Sequence, residues 1–302
     1  MVDTIPENNP ADCKGSSTQV EMPLVSIGMP VFNEAKYIER SLRALLDQDY
    51  PNFEIIISDN GSDDETFAII ERIILAEKKV SLHRFDTNQG AMINVQYIMK
   101  HAAGKYFMWA SGHDLWSENL VSECVSLLEK QPNAIVAYGS PVWIDGQDEI
   151  MDRPVGWTDT RGLDIVGKFM AVFWGSMNPV LGVIRRNALP DMDDYYKGVG
   201  VDLIILLELI LKGDFLHAHK AEFLRRQPRK QEAYSEKLAR YKSDDLKMTT
   251  SLFGKLFPLF RMPYEIIRLI LKAKIGFGSK IAILLILIPA FPIRYIMGRQ
   301  SR

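Results

Sequence analysis

Asp114 stands beside His113 in the stretch FMWASGHDLW, residues 107–116. The apolar residues ahead of the pair read as a buried strand that ends near Ser111-Gly112. A carboxylate and an imidazole where a strand opens into a loop can hold a divalent ion. They can equally belong to a capping loop before a helix that Ser117 begins. A second carboxylate, Asp59, closes another apolar run inside a turn built from Gly61 and Ser62. A third, Glu34, follows a sharp turn containing Pro30. Each alone is also an ordinary turn-forming acid.

What gives these residues a common address is the order of elements that must carry them. LVSIGM (24–29) is a short apolar run suited to a strand buried on both faces. In AKYIERSLRALLDQ (35–48), Ile38, Leu42, Leu45 and Leu46 recur at helical spacing, with Asn33 as N-cap. Phe53–Ser58 is a second strand, and DETFAIIERIILAEK a second helix. Residues 80–88 form a third strand, 90–104 a third helix and 105–110 a fourth strand. Strand–helix alternation at this spacing predicts an α/β fold with a mostly parallel sheet flanked by helices. In such sheets ligands bind at the carboxyl ends of the strands. The polar turns at 30–34, 59–64, 86–90 and 111–114 all fall at that edge. Beyond them come a helix at 117–130, a strand at 134–145 and a segment at 146–200 without regular pattern. An apolar helix at 201–213 and paired strands at 214–227 follow.

The chain has 302 residues, 47% apolar and 25% charged, enough for one large domain with an appendage. The formal charge of −2 gives no reason to expect nucleic acid. Residues 1–22 are polar and read as a loose leader without the apolar core of a signal peptide. Cys13 and Cys124 match no zinc spacing, and a reducing cytosol is the default. A domain is expected over 23–245 and a distinct tail over 246–302.

The tail is basic: residues 251–302 carry nine Lys or Arg and a single acid, Glu265. IAILLILIPAFPI (281–293) is uncharged for thirteen residues. As a helix it would run roughly 20 Å, short of the roughly 30 Å hydrocarbon core. Pro289 and Pro292 are expected to break it further. A basic amphipathic helix and a short apolar segment fit interfacial or re-entrant attachment to a membrane surface through residues 255–296. A core or dimerisation helix is the other reading. The location that follows is cytoplasmic, peripheral or monotopic on the inner face of a membrane.

PLVSIGMPVFNEAKYIERSLRALLDQDYPNFEIIISDNGSDDET resembles the start of a family 2 glycosyltransferase with the GT-A fold. That family's first strand ends in P-x-Y/F-N-E and its second in D-x-G-S-x-D-x-T, matched here by Pro30–Glu34 and Asp59–Thr66. NQG at 88–90, Asn94 and AAGKYFMWAS match its next block, and the resemblance reaches to about residue 230. It implies a nucleotide-sugar donor, UDP- or dTDP-linked, and a glycan or lipid-linked acceptor in polysaccharide synthesis. Hexosyl- or rhamnosyl-type transfer with inversion is the implied reaction. The implied nucleotide-sugar contacts are Pro30, Phe32, Glu34, Asp59, Gly61, Asn88, Gly90, His113 and Arg226. The chemistry agrees. A sugar nucleotide needs a carboxylate to read its base or ribose, small residues beside the diphosphate and positive charge to neutralise it.

In the family the fourth strand ends in an Asp-rich metal motif. Here Ser111-Gly112-His113-Asp114 stands there, so Asp114 is the one implied ligand for Mg²⁺ or Mn²⁺, and His113 could touch the diphosphate directly. The family's base at a helix start falls on Asp202, with Val201 where a Glu is usual and Glu208 in reserve. Arg225, Arg226 and Arg229 could supply positive charge. Of the five tryptophans, Trp109 is expected in the core. Trp157 and Trp174 are the better sugar-packing rings. A non-catalytic sugar-nucleotide binder with a degenerate metal motif is the first alternative. A nucleotidyltransferase is the second, and the absence of a Gly-rich basic loop after the first strand weighs against it.

Overall fold

The structure, a computed structural model, describes residues 22–156, 159–192, 200–227 and 261–300. The expected leader up to residue 21, Trp157, Arg229 and the junction near residue 245 lie outside them. The first half alternates as the sequence predicts: β1 (Val25–Val31), α1 (Ile38–Leu46), β2 (Phe53–Asp59), α2 (Thr66–Ile74), β3 (Val80–Arg84), α3 (Ala91–His101) and β4 (Tyr106–Trp109). Then come β5 (Leu115–Trp116), α4 (Leu120–Lys130), β6 (Ala134–Ile144), α5 (Ile165–Trp174), β7 (Val183–Arg185), α6 (Val201–Ile210) and β8 (Asp214–Arg226). The tail forms α7 (Arg261–Lys272) and α8 (Phe277–Gln300).

The strands make one eight-stranded sheet in the order β3-β2-β1-β4-β7-β6-β8-β5. β1, β2, β3 and β4 are parallel to one another, so their following loops gather on one edge. Alternation along β4 divides the core. Tyr106 and Met108 face the cluster that takes Leu42 and Leu45 of α1 and Val121 and Leu128 of α4. Phe107 faces the other way, against Ile98 of α3. The opposite layer continues into α5 and α6, and the tail helices pack there through Ile266, Ile270, Ile283, Leu287 and Ala290.

Pro30 explains why the sheet opens where it does. Residues 24 and 28 face β4, because their carbonyls accept from the Tyr106 and Ala110 N–H groups. The next residue on that side is Pro30, which has no N–H to give. The β1–β4 ladder stops at Gly28 opposite Trp109, and the two strands part.

Five expectations are corrected. Asn33 is not an N-cap: α1 begins at Ile38, and Asn33 sits in the left-handed region at φ 55°, held by Ser62 and Asp63. Nor does Ser117 cap α4; its hydroxyl donates to Asn119 and accepts from the Glu222 N–H, fastening β8. The segment 146–200, expected to be irregular, holds α5 and β7. β7 is only three residues, too short for a sequence pattern, yet it lies between β4 and β6 and pairs antiparallel to both. Residues 214–226 are one strand, not two, because no turn-forming residue lets the chain reverse. The register against β6 slips between Gly139 and Ser140 instead. Finally, Pro289 and Pro292 lie inside α8 without ending it. Ile283, Leu287 and Ala290 bury one side of that helix, and the Arg294 guanidinium donates to the Phe173 carbonyl near the end of α5. Packing outweighs the two lost backbone bonds.

Candidate active site

Three loops at the carboxyl edge are locked together by their own polar groups. The Asn33 N–H donates to Ser62 Oγ at 3.0 Å, and its side-chain amide donates to Asp63 Oδ1 at 2.7 Å. The Glu34 N–H donates to Thr66 Oγ1 at 2.7 Å and the Ala35 N–H to Asp64 Oδ2 at 3.1 Å. Burial works to raise the Asp64 carboxyl, but hydrogen bonds from Thr66 and Ala35 outweigh it and hold Asp64 below its ordinary value. Asn60, which sequence reasoning passed over, ties in the third loop. Its amide donates to Asn88 Oδ1 at 3.1 Å, and its carbonyl accepts from the Gln89 N–H at 2.9 Å. Asn88 in turn accepts from the Gly90 N–H at 2.8 Å.

Gly61 makes this closeness possible. It sits at φ 69°, and a side chain there would bring its Cβ within 2.7 Å of the Thr87 carbonyl carbon. Gly90, at φ 93°, turns the chain into α3.

Asp59, read as a turn carboxylate open to a ligand, is fully covered. It accepts from the Ser62 N–H and hydroxyl, and Arg84 Nε of β3 lies 3.4 Å away. Arg84 is the register partner of Asp59 and rests over the Phe67 ring. It therefore belongs to this corner although no motif announces it.

His113 Nδ1 lies 3.0 Å from Glu34 Oε1, so the imidazole and the carboxylate of two separate motifs meet. Gly112 permits it, since a Cβ there would stand 2.9 Å from Glu34 Cγ. Asp114, only 3% exposed, accepts from the Arg226 N–H through Oδ1 at 2.7 Å. Arg226 is buried too. Its guanidinium donates to the His113 and Asp145 carbonyls, pairs with Asp148 and lies over the Tyr37 ring. Burial lowers Arg226 from its ordinary value, with Tyr37, Asp114 and Asp145 opposing; a guanidinium stays charged regardless.

A divalent ion was expected on Asp114. The described side chains do not build a cage for one: among them no group of three or more His, Cys, Asp or Glu stands together. One oxygen of the Asp114 carboxylate, Oδ1, accepts from the Arg226 N–H. An ion there would take most of its ligands from diphosphate oxygens and water.

Beside these loops, where β1 and β4 part, lies a cleft of about 240 Å³. Its polar lining is Ser111, Asp202 and Arg225; its apolar lining includes Trp109, Met192 and Ile205. Asp202 is exposed in the first turn of α6, after Gly200 at φ 90°, on a helix otherwise buried from Leu203 to Leu207. Glu208, the reserve, pairs with Lys212 at 2.7 Å further along the helix and does not line the cleft.

Of the two adjacent arginines it is Arg225, not Arg226, that reaches the cleft, because neighbours on a strand point to opposite faces. Arg225 is aimed by a 2.7 Å bond to buried Asn178 and by the Trp143 ring beneath its guanidinium. Nothing in the sequence marks Asn178. Trp109, expected in the core, lines the cleft as the last residue of β4, whereas Trp174 is exposed at the end of α5 and does not.

These positions can be set against known proteins. A model of glycosyl transferase family 2 matches residues 26–177, half of the chain. An uncharacterized glycosyltransferase of Haemophilus influenzae is 30% identical over 126 residues, 42% of this chain and 50% of its own. The putative teichuronic acid biosynthesis glycosyltransferase TuaG of Bacillus subtilis is 30% identical over 97 residues, 32% of this chain and 38% of its own. The matches thus span half or less of these relatives' length. Crystal structures of S. aureus TarS 1–349 share the fold. The UDP-GlcNAc complex has a TM-score of 0.64 at 19% identity, covering 86% of this chain and 70% of that one. The UDP complex has a TM-score of 0.62 at 17% identity, over 86% and 69%. The sheet and its flanking helices are GT-A-like, as expected. With the family match covering both interlocked motif loops, the chain belongs to glycosyl transferase family 2.

Proposed function

We propose that the protein is an inverting glycosyltransferase. It takes a hexosyl or rhamnosyl group from a UDP- or dTDP-linked donor to a polysaccharide or lipid-linked acceptor. The observation that carries this reading is the placement of exposed Asp202 and oriented Arg225 in one cleft, beside the three locked loops. The TarS complexes with UDP and UDP-GlcNAc, which share the fold, support the donor class. The likeness to a teichuronic acid biosynthesis enzyme supports a cell-envelope polysaccharide.

In this reaction Asp202 takes the proton of the acceptor hydroxyl as its oxygen attacks the anomeric carbon. The bond from that carbon to the donor phosphate breaks, and its electron pair leaves with the diphosphate. Arg225 meets the new negative charge. The nucleotide lies against the loops of Pro30–Glu34, Asp59–Gly61 and Asn88–Gly90, with His113 and Glu34 at the diphosphate end. A Mg²⁺ or Mn²⁺ ion beside Asp114 is the second reading, favoured by that carboxylate standing at the end of β4.

The tail holds the enzyme on the cytoplasmic face of a membrane, a reading supported by the basic charge of residues 251–302 and the apolar surface of α8.

Purified protein incubated with UDP- and dTDP-sugars and a glycan acceptor tests the reaction. Asp202→Asn is expected to lower kcat by about two to four decades with the donor KM nearly unchanged. Unchanged kcat in that variant would remove Asp202 from the mechanism.

A further inference from the structure

We infer that α8 lies flat in the headgroup region of an anionic bilayer, its outer half in lipid and its inner half on the protein, and does not cross the membrane. This rests on the membrane attachment proposed above and says how it is made. By length and composition alone the helix could cross: Phe277–Arg294 is long and apolar enough.

Its surroundings argue otherwise. Ile283, Leu287 and Ala290 recur along one side and are buried against the domain. Arg294 is fastened to the Phe173 carbonyl, and Lys280 donates to the Leu271 carbonyl at 2.7 Å. A crossing helix would have to leave this packing and take both cations away from their partner carbonyls.

The outer half exposes no polar side chain. Every exposed residue from Phe277 to Ile293 is apolar or glycine, including Phe277, Ile281, Leu285, Ile288 and Ile293. A helix apolar all round needs cover on every side. The domain covers one side only.

Two further observations choose lipid, and shallow lipid, as the cover. Lys272 and Lys274 are exposed at the α7–α8 corner, and the tail is strongly basic. A second copy would bring an equally basic tail to this face and offer it no opposite charge, whereas an anionic surface attracts it. Pro289 and Pro292 also remove the donors that would reach the Leu285 and Ile288 carbonyls, residues on the exposed face. In the hydrocarbon centre those carbonyls would stand unpaired, with no neighbouring helix to satisfy them. At the headgroup boundary water reaches them.

The experiment uses the full chain with Cys13→Ser, since Cys124 is buried. Flotation with phosphatidylcholine vesicles, with and without phosphatidylglycerol, tests attachment. Binding that needs phosphatidylglycerol is expected, and Ile281→Asp with Ile288→Asp should weaken it by roughly tenfold or more. Failure to float on either vesicle would end the membrane reading itself. The depth of a fluorophore at Phe277→Cys, Ile281→Cys, Leu285→Cys or Ile288→Cys is then read with lipid-borne quenchers. Equal, shallow depths of about 5–10 Å are expected. A spread approaching about 16 Å along the helix, as in a crossing segment, would overturn the flat orientation while leaving attachment intact. Shielded probes on a doubled particle mass without lipid would assign the face to a second copy.

Discussion

Replacing Gly61 with alanine tests whether the locked loops are what binds the donor. Two costs add at this residue. Its φ of 69° is a conformation an alanine adopts at a cost of about 1–2 kcal/mol. The new Cβ would also sit 2.7 Å from the Thr87 carbonyl carbon and 3.0 Å from the Asn88 nitrogen. These are backbone atoms, so the loop at 87–90 must move bodily. That movement pulls Asn88 and Gln89 from the Asn60 amide, and each buried group left unsatisfied costs about 1–3 kcal/mol. Gly162 is the control: its φ is 79°, but a Cβ there meets nothing within 4 Å. Gly162→Ala therefore carries only the conformational cost, offset by about 0.4–1 kcal/mol of lost freedom in the unfolded chain. Urea unfolding should separate the two variants by at least about 2 kcal/mol, and UDP titration by calorimetry should show at least about tenfold weaker binding for Gly61→Ala, an increment of about 1.4 kcal/mol. Gly162→Ala should bind as the parent does. Equal stability and equal UDP affinity in the two variants would refute the reasoning, because the packing of Gly61 on Thr87 would then contribute nothing.

Asn60→Ala should weaken UDP binding and lower stability by about 0.5–1.5 kcal/mol per bond, since buried Asn60 gives up its part-buried bonds to Asn88 and from the Gln89 N–H; an unchanged urea midpoint would contradict this. If Arg225 neutralises the leaving group, transfer should persist in EDTA and collapse in Arg225→Ala, and EDTA-sensitive transfer would move that role to an ion beside Asp114. His217 is buried, and burial, aided by neighbouring His219, lowers its pKa below the ordinary 6.5. The unfolded chain thus takes up the proton first, so stability should fall as pH drops below about 6.5, and His217→Gln should flatten that slope in urea melts across pH 5–8.

The sequence by itself determined the parallel half of the sheet, because β1 to β4 and their helices carry periodic apolar patterns that belong to each segment alone. It also placed the polar turns on one edge, since a parallel sheet leaves no other arrangement. What it could not determine is which side of each loop its polar groups face. Asp59 reads as an open ligand, yet Ser62 and Arg84 close over it, and Arg84 comes from a strand 25 residues later. Arg225 and Arg226 read alike, and only the pairing of β8 with β6 sends one to the cleft and the other to Asp114 and Asp148. Asn178, which aims Arg225, has no signal because its role exists only across the fold. Pro289 and Pro292 predict a broken helix, and the burial of Ile283, Leu287 and Ala290 keeps it whole. Local periodicity sets the elements; long-range burial and pairing, invisible to local pattern, decide where their polar groups end.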